Sequence, residues 1–313
     1  MAGNTTATLS LANRAEVWSR ELKQILRDEM QGMKYVNWLS DFPDGDTFKI
    51  PSLGDATVNT YVEDAAVVYN ALDDAQFTFQ ITEYLSSANY ITRKAEQDVF
   101  YANQVLAQFV PLQERALMES VESTIMGLQS GQTAANANTI NGAAHRMIGS
   151  GTSNAIAVAD FAKALFALKT GKVPQRNLVA IVDPSVEFEL NTLSQLTSVS
   201  NNPRWEGIVN SGIATGMTFI ANIYGFDVYT SNYLTDVASE AIGGVTATNA
   251  KANLFFSAES TVLPFVGAWR QDPIVDTWFN KDYQRTEFVT TARYGAKLYR
   301  PENLVTVLTQ PTI

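Results

Sequence analysis

Cysteine is absent from the 313 residues, and histidine occurs once. Without thiols there is no disulfide framework, thiolate nucleophile, zinc knuckle or iron–sulfur site. One imidazole cannot make a two-His metal site and leaves little scope for His-based acid–base chemistry. Positive charge is scarce as well: 22 Lys+Arg stand against 32 Asp+Glu, a formal charge of −10. That balance argues against gripping nucleic acid, where neutralising phosphates is the main source of affinity. No apolar run reaches the roughly 18 residues that a membrane-spanning helix needs. The N-terminus lacks the basic and then apolar regions of a secretory signal, so a cytosolic protein with no membrane partner is expected. With 46% hydrophobic and 17% charged residues the chain is globular, and long enough for one large or two ordinary domains.

Motifs that carry chemistry are also missing. The nearest approach to a nucleophile elbow, Gly149-Ser150-Gly151, has the wrong spacing. Lys169-Thr170-Gly171-Lys172 echoes part of a phosphate loop, but the earlier Gly and the Ser/Thr after the Lys are absent. A helix C-terminus explains it better. Asp73-Asp74 and Glu187/Glu189 pair carboxylates, yet 32 acids make some pairing inevitable. The histidine, His145, stands beside Arg146 with no nearby carboxylate in the sequence and reads as structural. Trp278, Phe279 and Tyr283 interleave with Lys281 and Arg285, which would suit base stacking, although packing in a strand core is the expectation. No catalytic, cofactor-binding or metal-ligating residue is identified.

What is present is a succession of unlike segments. From Arg14 to Lys34, Leu22, Ile25, Leu26, Met30 and Met33 form a single helical stripe, an amphipathic arm that must lie on something. Strands are expected at Thr47–Ile50 and Thr57–Val62. Another is expected where Phe77, Phe79 and Ile81 alternate with Gln76, Thr78, Gln80 and Thr82. Together these form a long antiparallel excursion with its tip near residues 65–74. Between Pro51 and Thr92 it carries Asp55, Glu63, Asp64, Asp73, Asp74 and Glu83 and no Lys or Arg, so −6 of the net charge sits there. A long helix follows over about 103–129, with a kink or restart expected at Pro111. Residues 130–157 read as a loop or weak hairpin.

An α/β pattern comes next. Asp160 is expected to N-cap a helix closed by Gly171 and Pro174. Leu178–Val182 is the continuous apolar run of a strand buried on both faces. Asp183-Pro184 starts a further helix. Strands at 217–220 and 226–229 flank a turn at Tyr224-Gly225, Gly243-Gly244 marks another turn, and 286–308 is strand-rich around a turn at Arg300–Asn303.

Four segments, in this order, carry a family resemblance. They are Gly45-Asp46-Thr47-Phe48-Lys49-Ile50-Pro51, Val173–Pro184 (VPQRNLVAIVDP), Gly225–Leu234 (GFDVYTSNYL) and Tyr294–Asn303 (YGAKLYRPEN). The chain resembles the major capsid proteins of tailed bacteriophages, whose α+β fold is named after the Hong Kong 97 phage. The resemblance spans nearly the whole chain. It implies an N-terminal arm (1–44), an E-loop hairpin (45–92), a spine helix with the first part of a peripheral domain (93–157), an axial domain (158–260) and return strands of the peripheral domain (261–313). It further implies a non-enzymatic virion protein without cofactors, assembled in the host bacterial cytoplasm as pentamers and hexamers around double-stranded DNA that it does not read. Implied partners are a portal protein, a decoration protein and, since the hairpin begins by residue 46, a separate scaffolding protein. The same architecture also fits an encapsulin-type nanocompartment, and a carboxylate-based cytosolic hydrolase is a distant alternative.

An interface is expected where the acidic E-loop (Glu63, Asp64, Asp73, Asp74, with Val67, Val68 and Tyr69 near its tip) meets a basic strip of a neighbour. Residues 281–300 supply Lys281, Arg285, Arg293, Lys297 and Arg300 against Asp282 and Glu287, a net +3. Trp18, Leu22, Ile25 and Leu26 of the arm are expected to contact a neighbour too. Some family members cross-link the E-loop through a lysine, but here none lies between Lys49 and Lys94. Particles boiled in denaturant and run on a gel should therefore give one band near 34 kDa; a covalent ladder would contradict a non-covalent shell.

Overall fold

The computed structural model describes residues 30–39, 47–53, 58–64, 66, 69–70, 74–98, 102–132, 138–192 and 219–310. Trp18, Leu22, Ile25 and Leu26 lie outside them. The last residues of the expected arm helix, Gly32–Tyr35, instead form a 3-10 turn that runs into β1 (Val36–Leu39). The reason sits on another element. The fully buried carboxylate of Glu122 accepts the backbone N–H groups of Gln31 (2.8 Å), Gly32 (2.6 Å) and Met33 (2.9 Å). Three consecutive N–H groups can converge on one acceptor only if the chain tightens. A Cβ at position 32 would crowd this arrangement, lying 2.9 Å from Met126 Cε and 3.2 Å from Glu122 Oε1.

The excursion is an antiparallel pair, β2 (Thr47–Leu53) and β3 (Asp74–Gln80), in register from Thr47 opposite Gln80 to Leu53 opposite Asp74. As the alternation predicts, Phe79 and Ile81 are buried while Gln76, Thr78 and Gln80 are exposed. Of the strand expected at Thr57–Val62, the described residues 58–62 form no strand and are exposed. β-propensity acts only where a partner strand is on offer. Then come β4 (Glu83–Thr92), a short α1 (Arg93–Asp98) and the long α2 (Ala102–Gly127). The 26 residues of α2 span roughly 40 Å. The helix continues through Pro111 without the restart expected there.

A 3-10 turn at Leu128–Gly131 leads to the small strands β5 (Thr139–Ile140), β6 (Ala143–Ala144) and β7 (Arg146–Ile148), the weak hairpin expected here. In α3 (Val158–Thr170) the N-cap is Ala157, not Asp160. Asp160 sits three residues inside and reaches back to the N–H of Ala157 (3.0 Å), also accepting Ser150 N–H (2.8 Å) and Oγ (2.6 Å). Its carboxylate ties the preceding loop to the helix, a task that a residue at the cap itself could not reach. β8 (Leu178–Val182) is buried throughout, and Asp183 caps α4 (Pro184–Thr192) through Ser185 N–H at 3.0 Å.

The hairpins β9 (Phe219–Ile223) with β10 (Phe226–Thr230), and β11 (Asp236–Ile242) with β12 (Val245–Ser257), turn on two residues each. Tyr224-Gly225 and Gly243-Gly244 all have positive φ, as tight hairpins require. The chain closes with β13 (Phe265–Asn280), β14 (Arg285–Leu298) and β15 (Val305–Thr309).

Two sheets organise these parts into the α+β architecture. The larger has the order β7-β15-β12-β8-β10-β9, with β11 on β12. Its two faces have different partners. Leu178, Ala180 and Val182 pack with Phe161, Ala164 and Leu168 of α3 and Val186 and Leu190 of α4. Val179, Ile181, Leu254 and Phe256 meet Val121, Ile125 and Met126 of α2 on the other side. Phe161, Phe226 and Phe255 stand edge to face at 5.1–6.4 Å in the first core. The smaller sheet, β1-β13-β14-β4, joins the second core through Phe265 and Tyr294.

Buried polar side chains fix how the parts meet. Arg146 donates from Nε and Nη2 to both oxygens of Glu240 and from Nη1 to Gln129. Asn303, in the Arg300–Asn303 turn, accepts Ser257 N–H at 2.8 Å and donates to the carbonyls of Ser257 and Val262.

Replacing Glu122 by Ala leaves buried N–H groups without an acceptor, at about 1–3 kcal/mol for each left unpaired. Urea unfolding should show Glu122→Ala destabilised by about 3 kcal/mol or more, and Glu122→Gln, which keeps one acceptor oxygen, by clearly less.

Candidate interaction surface

In β14 the side chains of Thr290, Ala292 and Tyr294 are buried, and Thr290 Oγ1 donates to Gln113 Oε1 of α2 at 2.8 Å. The alternate residues Arg285, Glu287, Thr291 and Arg293 therefore point away from α2. Pairing register assigns their companions. Glu287 lies between Trp278 and Tyr90, Thr291 between Ile274 and Ser86, Arg293 between Gln271 and Tyr84. Paired residues share a face, so Tyr84, Tyr90, Ile274 and Trp278 form one outer surface.

That surface is bare. Trp278 is 73% exposed, Tyr90 57% and Ile274 48%, and Tyr283 at the hairpin turn is 68% exposed. The expected core packing of Trp278, Phe279 and Tyr283 is therefore wrong. For Trp278 the cause is that α2 covers one face of the sheet only; Tyr283 lies in the turn, and Phe279, on the face opposite Trp278, is 37% exposed near the sheet's end. Trp269, nearer the centre, is half-buried and stacks on Trp38 at 5.2 Å.

The basic residues fall into two groups. Lys281 is exposed in the turn between β13 and β14. Arg285 bonds Glu287 Oε1 at 2.5 Å, and its guanidinium lies over the rings of Tyr90 (4.5 Å) and Tyr283 (4.7 Å). The Arg285 bond, helped by Asn280, holds the Glu287 carboxyl below the usual range. Arg293 is half-buried in the row with Tyr84. Lys297 is engaged at home. Its Nζ donates to the Thr78 carbonyl of β3 at 2.9 Å and sits 5.0 Å from the Phe77 ring centre. The continuous +3 strip is thus broken: Glu287 offsets Arg285, and Lys297 serves its own hairpin.

On the acidic side, Glu63 and Asp64 are exposed in a turn where Asp64 has φ +64°. Apolar residues accompany them: Val58 is 96% exposed and Tyr69 93%, with Tyr61 and Val62 also bare. Asp74 begins β3 opposite Leu53. Val67, Val68 and Asp73 lie outside the described residues. Sequence reasoning missed Tyr84, Tyr90 and Ile274. The even spacing of Tyr84, Ser86, Ala88 and Tyr90 was the available signal, masked by the small polar residues between the tyrosines.

Of the acids that looked like candidate pairs, Glu189 has a structural partner: it accepts the N–H of Ile156 at 3.1 Å. Among the described residues no three His, Asp or Glu side chains gather as metal ligands, and no helix is long and apolar enough to cross a membrane. His145 is fully buried, with Nδ1 3.0 Å from the Ala143 carbonyl. Burial pushes its pKa below the ordinary value, outweighing the backbone of Ala143 and Glu302, which raise it.

Comparison with known proteins follows this geometry. A sequence model of the family described as "Phage capsid protein" matches residues 75–307. No curated protein matches by sequence. Among solved structures, a chain of Mycobacterium phage Che8 is 18% identical with a TM-score of 0.69, covering 98% of each chain. The capsid of cyanophage P-SCSP1u is 16% identical with a TM-score of 0.69, over 99% of this chain and 96% of the other. The capsid of Ralstonia phage GP4 is 12% identical at the same TM-score, over 99% of both. The Hong Kong 97-like fold expected from the resemblance agrees with these neighbours. The chain belongs to the phage capsid protein family and is a structural major capsid protein of a phage head.

The unfolded chain protonates its histidine near pH 6.5, the folded chain only at lower pH. Between those values the unfolded state binds more protons, so stability is full above about pH 6.5 and falls below it. The slope from this one group is at most about 1.4 kcal/mol per pH unit. Urea midpoints measured from pH 7.5 to 5.5 should decline more steeply for the wild type than for His145→Asn.

Proposed function

We propose that copies of this chain build a closed icosahedral shell of pentamers and hexamers. In it, the E-loop tip of one subunit lies on the outer face of the four-stranded sheet of the next. The observation that carries this reading is that one chain leaves two complementary surfaces bare. The E-loop exposes Val58, Tyr61, Val62 and Tyr69 beside Glu63 and Asp64. The sheet exposes Tyr84, Tyr90, Ile274 and Trp278 beside Arg285, Arg293 and Lys281.

Magnitudes decide which part of the contact matters. An exposed ion pair is worth about 0–1 kcal/mol, whereas a large side chain newly buried contributes about 1.5–3 kcal/mol. The aromatic row therefore supplies most of the affinity and the charges supply register. A head-to-tail contact of this kind closes into rings under rotation. Overlapping arms and loops enlarge it toward the area of obligate interfaces, above about 2,000 Å².

In this reading residues 1–44 are the arm, 45–92 the E-loop with β4 as its return strand, and 93–157 the spine helix and first peripheral part. Residues 158–260 are the axial domain around the larger sheet, and 261–313 the returning peripheral strands. The protein does no catalysis and uses no cofactor. It assembles in the host bacterial cytoplasm on a separate scaffolding protein, with a portal protein at one vertex and a decoration protein outside. It encloses double-stranded DNA without reading sequence, and a charge of −10 per chain gives a wall with little net affinity for phosphate.

Trp278→Ser, Arg285→Glu and Arg293→Glu should each leave the monomer folded by circular dichroism while reducing particle yield in negative stain. Trp278→Ser should have the largest effect. Normal particles from all three would overturn the docking assignment.

A further inference from the structure

We propose that the hairpin β2–β3 is seated in a socket on its own subunit, so that the direction of its root is set before any neighbour arrives. Three observations build the socket. Its floor is Gly295 of β14, where an added Cβ would lie 2.8 Å from the Gln80 carbonyl oxygen, 2.9 Å from Ile81 Cα and 3.2 Å from Phe79 Cζ. Only a residue without a side chain lets the hairpin root approach so closely. The walls are a small core of its own. Phe79 and Ile81 are buried with Val266 and Ala268, and Leu39, Phe48, Phe77 and Tyr299 pack around them. The rim is Lys297, which donates to the Thr78 carbonyl and lies over Phe77, whose ring meets Tyr299 edge to face at 5.0 Å.

A hinge at Gln80–Thr82 would have to lift Phe79 out of this core and break the Lys297 contact together. Further out, Val58, Tyr61 and Tyr69 lie outside this socket and are exposed. The consequence in a shell rests on the docking reading above, because a fixed root would transmit the tilt of one sheet to the loop on its neighbour. The socket itself belongs to the single chain and is tested there.

The absence of cysteine lets introduced pairs be labelled cleanly. Spin labels on Thr78→Cys with Ser86→Cys report the root; labels on Tyr69→Cys with Ser86→Cys report the tip. In the unassembled full-length chain, double electron–electron resonance should give a root distance distribution severalfold narrower than that of the tip. Lys297→Met should broaden the root distribution, and Gly295→Val should shift it. If Gly295→Val does not fold, Lys297→Met still decides, since its side chain is exposed. A root distribution as broad as the tip's, or one unmoved by Lys297→Met, overturns the proposal. Failure of docking alone would leave these distances unchanged.

Discussion

A sheet has two faces, and α2 covers only one face of the sheet formed by β1, β13, β14 and β4. On the covered side the constraint is satisfied within one chain: Tyr294, Ala292 and Thr290 are buried, and Thr290 donates a hydrogen bond to Gln113 of the helix. On the other side Trp278, Tyr90, Tyr84 and Ile274 stand in solvent. Large side chains bare on one sheet face, interleaved with Arg285, Glu287 and Arg293, make this face the candidate interaction site. The chain's own hairpin covers the Gly295–Lys297 end of that face and stops there. One face is thus divided between a root held in cis and a surface that asks for a partner.

Inside the molecule the same economy of cover holds the two sheets together. β8 is shared between cores: Ala180 and Val182 look toward α3 and α4, Val179 and Ile181 toward α2. Apolar packing of this kind is strong but does not by itself choose a register. Buried polar pins do so. Glu122 locates the start of β1 on α2, Arg146 locates β11 against the end of α2 through Glu240 and Gln129, and Asn303 locates the final turn on β12 through Ser257. Each pin spans segments distant in the chain, and each would leave a buried polar group unpaired if the register slipped.

What could be read in the sequence follows from how local its cause is. The run Leu178–Val182, the Asp183-Pro184 cap, the turns at Tyr224-Gly225 and Gly243-Gly244 and the length of α2 depend on neighbours a few residues away, and the structure has them all. Asp160 was placed at the cap because its chemistry suits that position, but its partner Ser150 lies ten residues upstream in a loop without periodicity. Thr57–Val62 has strand composition, yet the described residues 58–62 form no strand. The interaction surface was the least legible part. The five basic residues of 281–300 are visible in the sequence, but Lys297 belongs to Thr78, 219 positions away. Exposure of Trp278 depends on which face of the sheet α2 covers, which no spacing encodes.

The acidic character of the chain takes a sharper meaning once its parts are placed. In the sequence, negative charge concentrates on the hairpin and positive charge on β14, the complementarity on which the docking proposed above relies. Cryo-electron microscopy of the assembled head bears on this at the scale of single side chains. Density for a neighbour's residues 58–69 should run over Trp278, Tyr90 and Tyr84 and exclude solvent from them. An assembled shell in which those three side chains remain open to solvent, with the hairpin tip docked elsewhere, would contradict it.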